Sequence, residues 1–262
     1  LRDEPVRPLE CAAPAVVGQV GPLLDEVRAW LGPLQPVPED RRAMDLAVSE
    51  LLANAVEHAY ADGAPGEVRL RAALTAEGVL QLEVGDDGTW RRPSSPPPVT
   101  SGRGLWLTGA VVDDLRVSHA GDQEGPRRGT VAAVRHRLYR AALLGADAPV
   151  QPAGGGPVDL VAELVEGPSP ALRVSGQVDI STVNRFAERL DTVSRGGVHS
   201  LTVDLSGLDL LASAGVRAVF EARDRHAVHG TTLTLVAAEG SPAHRVLDLV
   251  GLDHQPHPAT EE

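Results

Sequence analysis

Met44-Asp-Leu-Ala-Val-Ser-Glu-Leu-Leu-Ala-Asn-Ala-Val-Glu-His58 is the stretch that decides how this chain is read. Met44, Ala47, Val48, Leu51, Leu52, Ala55, Val56 and Ala59 recur at i, i+3, i+4 and i+7, which predicts a helix with one apolar stripe, running to Tyr60. Pro38, Glu39 and Asp40 open it, with acidic groups at the positive end of the helix dipole. Asp62-Gly63 marks the turn that follows. Glu50, Asn54 and His58 stand at i, i+4 and i+8, in one column apart from the apolar stripe. An amide oxygen there can hold Mg²⁺, a hard cation that prefers oxygen. A carboxylate one turn away can orient or deprotonate an attacking hydroxyl. A solvated polar face would have the same spacing, so the column needs support from elsewhere in the chain.

Outward from this helix, Val16–Trp30 reads as an earlier helix, with Pro22 disturbing its start. After the turn, Val68, Leu70 and Ala72 alternate with Arg69 and Arg71, and Leu80, Leu82 and Val84 alternate with Gln81 and Glu83, as half-buried strands do. A proline-rich loop spans Gly85 to Gly104, then come a helix near Leu105–Val112 and strands near Leu115–Ser118 and Thr130–Arg137. These elements predict an α/β sandwich: a mostly antiparallel sheet with helices over one face.

Two further signals lie in this region. Val84-Gly85-Asp86-Asp87-Gly88 places an aspartate at a strand end, where it can accept a hydrogen bond from an exocyclic amine such as adenine's. Gly88 would let backbone approach a flat base; Asp-Asp-Gly is equally ordinary turn chemistry. Ser101-Gly102-Arg103-Gly104-Leu105 opens a helix, and glycines there free backbone N–H groups to cradle phosphates.

Residues 144–157 contain Gly154-Gly155-Gly156 and three prolines and read as a linker. It separates a domain over 1–143 from a second over 158–257, with a short tail at 258–262. In the second domain strands near Val158–Val165, Leu172–Val174, Leu201–Asp204 and Thr231–Val236 alternate with helices at Thr182–Val193, Ala214–Val228 and Ala243–Val250, a small α/β domain.

Bulk composition narrows the function class. With 262 residues, 42% hydrophobic and 23% charged, the chain is globular. A net charge of -12 argues against binding nucleic acid by neutralising phosphates. The single Cys11 forbids an internal disulfide, and no apolar run spans a membrane, so a cytoplasmic location is expected. All basic residues but the histidines are Arg and the sole isoleucine is Ile180, a bias suggesting a GC-rich, actinobacterial genome. Because the first residue is Leu1, the chain is expected to be a fragment of a longer protein.

Taken together and in order, the first three signals resemble the ATPase superfamily of gyrase, heat-shock chaperone, histidine kinase and MutL proteins (GHKL). Glu50-Leu-Leu-Ala-Asn54 looks like its N box, Asp86-Asp-Gly88 its adenine box, Gly102-Arg103-Gly104-Leu105 its second glycine box, and Gly129-Thr130 its late phosphate-contacting element. Within that superfamily Glu50-x-x-x-Asn54-x-x-x-His58 most resembles the short anti-sigma-factor serine kinases. The resemblance implies ATP and Mg²⁺ as cofactors, Glu50 as general base, Asn54 as Mg²⁺ ligand and Asp86 as adenine anchor. It implies nucleotide contacts from His58, Gly88, Gly102, Arg103, Gly104, Leu105 and Thr130. One departure is Trp90, where the family's adenine box has its second glycine.

Leu172-Arg-Val-Ser-Gly-Gln-Val-Asp-Ile180, Leu201-Thr-Val-Asp-Leu-Ser-Gly-Leu208 and Leu211-Ala-Ser-Ala-Gly-Val216 resemble the STAS domain of anti-sigma-factor antagonists. In that family a hydroxyl directly before the glycine is phosphorylated; here that position is Ala214, and Ser213 is the local hydroxyl. Ser213 therefore has two readings, helix cap or phosphoacceptor. The resemblances together imply a serine/threonine kinase that phosphorylates a STAS-type antagonist and binds a sigma factor. The alternative is a non-catalytic, nucleotide-gated binding module; a histidine kinase fits less well, because little chain precedes Glu50 to hold a dimerising helical hairpin. A phosphatase domain upstream in the same polypeptide and a homodimer are further expectations, with neither nucleic acid nor membrane as partner.

Overall fold

In the computed structural model the described residues are 6–58, 66–88, 103–119, 129–139, 160–165 and 171–257, excepting the side chains of His58 and His119. The expectations for Thr89, Trp90, the 91–100 loop, Ser101, Gly102, the 144–157 linker and the tail lie outside them. The chain divides into two compact units, one of Leu1–Pro96 and Gly104–Pro157, the other of Pro97–Arg103 and Val158–Glu262.

The first unit contains β1 (Leu9–Pro14), α1 (Val20–Leu31), α2 (Pro38–His58), β2 (Glu67–Leu74), β3 (Val79–Asp86), α3 (Arg103–Val111), β4 (Asp114–His119) and β5 (Thr130–Arg137). Its strands form one antiparallel sheet in the order β1-β2-β3-β5-β4. Alternation decides the faces: Val68, Leu70 and Ala72 on β2 and Leu80, Leu82 and Val84 on β3 are buried, while Arg69, Arg71, Gln81 and Glu83 point to water. α2 covers the buried face, packing on β2, β3 and β5, and α1 packs on α2. Met44, Ala47, Val48, Leu51, Leu52 and Ala55 are all buried, so the predicted stripe is the core side of α2.

Three features depart from the expectations. β1 was not foreseen; it is an edge strand on β2, where Pro14 can end it without breaking a ladder on both sides. The first helix starts later than read: a 3₁₀ turn at Val17–Gln19 precedes α1, and Pro22 sits in its first turn, where a missing N–H costs nothing. Asp40, read as a dipole residue, is buried and works as an anchor. It accepts the Tyr139 N–H at 2.6 Å and pairs with His136 Nε2 at 3.3 Å, tying the start of α2 to the end of β5.

The second unit contains β6 (Val161–Val165), β7 (Ala171–Val178), α4 (Val183–Ser194), β8 (Leu201–Leu211), α5 (Ser213–His229), β9 (Leu233–Val236) and α6 (Pro242–Val250). Its sheet runs β6-β7-β8-β9, antiparallel at the first pair and parallel at the others. β8 is longer than read, because Asp204-Leu-Ser-Gly207 suggests a turn while the strand continues through it with shifts of register against β7. α4 packs on β7 and α5, and α6 on β8.

α4 ends in three consecutive left-handed residues, Arg195, Gly196 and Gly197, with φ of 49°, 70° and 89°. A Cβ at Gly197 would stand 2.9 Å from the Arg225 carbonyl carbon and 3.0 Å from the His226 nitrogen, both backbone atoms that cannot swing away. Gly197→Ala is expected to destabilise the second unit by at least about 1–2 kcal/mol, from the left-handed φ alone. A lower urea midpoint for the transition belonging to that unit is the measurement.

Candidate functional site

The polar column of α2 sits where its apolar stripe puts it, on the flank of the helix next to α3. Glu50 is 2% exposed although its side chain ends in an ionisable carboxyl group. Burying a carboxylate costs several kcal/mol unless something compensates, so its position is informative. Gly104, in the first turn of α3, lies directly against it: a Cβ there would overlap Glu50 Oε2 and stand 3.4 Å from Glu50 Cδ and 3.5 Å from Asn54 Nδ2. The Glu50 carboxylate and the Asn54 amide thus share one small space at the N-terminal end of α3. The first backbone N–H groups of a helix lack intrahelical partners and carry the positive end of its dipole. Thr108 Oγ1 donates to the Gly104 carbonyl at 3.0 Å, and Thr108 and Leu107 are fully buried, which seats this turn firmly.

Asn54 Nδ2 is buried and has no hydrogen-bond partner among the described residues. An orphaned polar atom costs about 1–3 kcal/mol, which a bound group would relieve. Turning the amide by half a turn places Oδ1 at the same spot. The spot therefore offers either a donor to an anionic oxygen or an oxygen to a hard cation, and beside the Glu50 carboxylate it fits Mg²⁺.

Asp86 ends β3. It continues the inward file of Leu80, Leu82 and Val84, so strand alternation turns it toward the core side and leaves it 8% exposed. Its Oδ1 accepts the Gly88 N–H at 2.9 Å and the Thr130 N–H at 3.3 Å. Burial raises the Asp86 carboxyl above its ordinary range, and these two N–H groups pull the other way without cancelling it. Asp87, one residue on, faces the other side. Arg69 grips it in a two-pronged pair at 2.8 and 2.5 Å and holds its carboxyl below the usual range. Of two adjacent acids, Asp86 is the one left for a ligand.

Gly129 explains how β5 joins this end. Its φ is 112°, and a Cβ would collide with the Asp86 carbonyl oxygen. The β3–β5 register then sets Thr130 opposite Asp86. Gly129-Thr130, expected to contact the phosphates, is set beside the aspartate by this register.

Of the expected residues, Glu50, Asn54 and Gly104 come together, and Asp86, Gly88 and Thr130 form a second group at the end of β3. Arg103 and Leu105 flank Gly104 in α3. His58 lies in α2 one turn beyond Asn54, and Gly102 is outside the described residues. Sequence reading missed the Arg69–Asp87 pair, although an Arg alternating outward on β2 across from an Asp-Asp step was a signal for it.

A groove of about 500 Å³ opens on the outer face of the same sheet, lined by Cys11, Arg69, Arg71, Glu83 and Val131 among others. Arg71 pairs with Glu10 and Arg69 with Glu67 and Asp87 there. It lies across the sheet from Glu50 and is a solvated charged face.

In the second unit Ser213 is the first residue of α5 rather than its cap, which is the extended Ala212. Ser213 is partly exposed, whereas Ala214 is 9% exposed. A Cβ on Gly215 would stand 2.6 Å from Val178 Cγ1 and 2.7 Å from Leu211 Cδ1, so this turn is packed tightly on β7 and β8.

Among the described residues no helix is long and apolar enough to cross a membrane. Residues 13–133 match the family described as histidine kinase-like ATPase domain, and residues 164–257 match one described as Mlab, STAS domain. The anti-sigma F factor of Heyndrickxia coagulans is 25% identical over 122 residues, covering 43% of this chain and 80% of that protein. A crystal structure of the RsbU and RsbW domains of a Mycobacterium tuberculosis protein is 29% identical, with a TM-score of 0.42, over 54% of this chain and 35% of that one. This chain thus spans about a third of that protein's length. An anti-sigma factor antagonist from Mycobacterium paratuberculosis is 22% identical with a TM-score of 0.34, over 39% of this chain and 90% of its own. Along the chain, a region matching the histidine kinase-like ATPase domain over residues 13–133 is therefore followed by one matching a STAS domain over residues 164–257.

Proposed function

We propose that the first unit is a serine/threonine protein kinase that moves the γ-phosphoryl group of ATP to a hydroxyl on a STAS-type protein, and that it holds a sigma factor when that protein is phosphorylated. The observation that carries this reading is the buried Glu50 carboxylate beside the Asn54 amide, both set against the first turn of α3. Glu50 would accept the proton of the attacking hydroxyl as the O–P bond forms and the bond to the departing ADP breaks. Asn54 would hold Mg²⁺, which neutralises charge on the phosphate oxygens. The α3 N-terminus, with Arg103, Gly104 and Leu105, would bind the phosphates. Asp86, with Gly88 and Thr130 behind it, would accept a hydrogen bond from the adenine amine.

The switch follows from charge. A phosphate adds about -1.5 to -2 charges at a helix start where the partner docks. A like-charge contact at about 4 Å costs up to about 4 kcal/mol at an effective dielectric near 20, and tenfold in affinity needs only about 1.4. One phosphate therefore suffices to release a STAS partner and free the surface for the sigma factor.

The chain's own STAS unit favours a second role beside this one. Ala214 stands where the phosphorylated hydroxyl would be, and it is buried. That unit is then a docking module, with Ser213 as its remaining candidate acceptor. An upstream phosphatase domain and self-association belong to the same proposal.

Incubation of the chain with Mg-ATP and STAS proteins, followed by intact mass, tests the reading. The expected result is one added phosphate on a STAS partner that carries a hydroxyl before its glycine, and none without ATP. Nucleotide binding without transfer to any partner would leave only the gated binding module; calorimetry without ATP binding at millimolar concentration would remove that as well.

A further inference from the structure

α6 closes with a C-terminal cap: the Gly251 N–H donates back to the Asp248 and Leu247 carbonyls with φ 68°, and the Leu252 N–H reaches the Leu247 carbonyl at 3.0 Å. Three residues later Gln255 joins β9, donating to the Leu235 carbonyl and accepting from the Ala237 N–H, each at 2.9 Å. The loop from 251 to 255 is thus pinned at both ends, and it folds His254 back onto the helix face that carries His244 and Asp248 at i and i+4. The Ser241 side chain accepts the His244 N–H and fixes the start of that face.

The three side chains converge. His244 Nδ1 lies 3.3 Å from Asp248 Oδ2, and His254 Nε2 lies 3.7 Å from Asp248 Oδ1. One ligand atom from each residue falls within 4.8 Å of the other two. Two ligands on a tetrahedral zinc, bonded at about 2.0–2.1 Å, stand about 3.3 Å apart. The rings meet edge to face, 4.9 Å between centroids. His254 Nδ1 is 2.9 Å from the Leu252 carbonyl oxygen, which only accepts, so Nδ1 carries a proton and the other ring nitrogen, Nε2, faces Asp248. A backbone carbonyl fixing the far nitrogen is how metal-ligating histidines are oriented.

We propose that His244, Asp248 and His254 form a binding site for a divalent transition metal, zinc by its two-imidazole, one-carboxylate donor set. The Asp248 side chain is 60% exposed and His254 is 9% exposed, so the metal sits at the rim with a fourth position open to water. It clamps the 251–255 loop to α6. It is separate from the Mg²⁺ chemistry of the first unit, where oxygen donors prevail.

The full chain without nucleotide is titrated with Co²⁺ and the visible absorption of its bound form is followed, then Zn²⁺ is added in competition. One equivalent of Co²⁺ is expected to bind with nitrogen-ligand absorption, and Zn²⁺ to displace it. Asp248→Asn, an exposed change that leaves the helix intact, and His254→Ala are each expected to weaken Zn²⁺ at least about tenfold. Zn²⁺ is also expected to protect the Leu252 and Gln255 amides from hydrogen exchange in the parent and not in the variants. No bound equivalent, or equal affinity in the parent and both variants, would show that the three residues form only a hydrogen-bonded ion pair and overturn the proposal.

Discussion

Glu50→Gln is expected to lower phosphoryl transfer to a STAS substrate by about 10²–10⁴-fold, the span a positioned general base contributes. The replacement keeps shape and burial, so α2 and α3 stay packed around Gly104 and the effect falls on chemistry. The amide cannot take the proton that the attacking hydroxyl must lose. ATP affinity is expected to stay within a few-fold, because adenine and phosphate contacts come from other residues. A single-turnover assay with saturating Mg-ATP and calorimetry of nucleotide binding separate these quantities. Equal transfer by parent and variant would remove Glu50 from the reaction. Loss of binding together with loss of fold would reduce it to a packing residue.

How much of this site could be read beforehand depended on sequence distance. α2 was legible because its period is local: eight apolar positions repeat every three to four residues, and the polar column follows from the same geometry. The inward turn of Asp86 was legible for a similar reason, as the fourth member of the file Leu80, Leu82, Val84. β1 was not, because an alanine-rich edge strand ending at Pro14 has little propensity of its own and is held by pairing with β2, almost sixty residues on. Nor was the Asp40 anchor, whose partners His136 and Tyr139 are 96 and 99 residues away. The position of Gly129-Thr130 depended on the β3–β5 register, which no local pattern states. The His244–Asp248 spacing was visible on α6, but the return of His254 depends on a cap and a bridge to β9.

Asp86→Asn is expected to cost about 1.5–3 kcal/mol of nucleotide binding, about 10- to 150-fold in Kd, the value of a hydrogen bond to a charged group. The direction follows from the two backbone donors already on Asp86 Oδ1. Gly88 and Thr130 N–H groups both need an acceptor, so they hold the asparagine oxygen in place and turn its Nδ2 outward. A donor then faces the adenine amine, itself a donor. Stability moves the other way. Burial keeps the Asp86 carboxyl above its unfolded value, so between those two values the folded chain binds more protons than the unfolded one. Stability is therefore lost as pH rises through that window, and the loss persists at neutral pH. Asparagine has no charge to bury, so the variant is expected to be at least as stable as the parent at pH 7, with the difference vanishing below the carboxylate range near pH 4. Urea unfolding at both pH values, with ATP titration at pH 7, measures the two effects on one protein. A variant less stable than its parent at pH 7 would mean that the charged Asp86 holds the β3–β5 end together, whereas unchanged ATP affinity would place the base elsewhere.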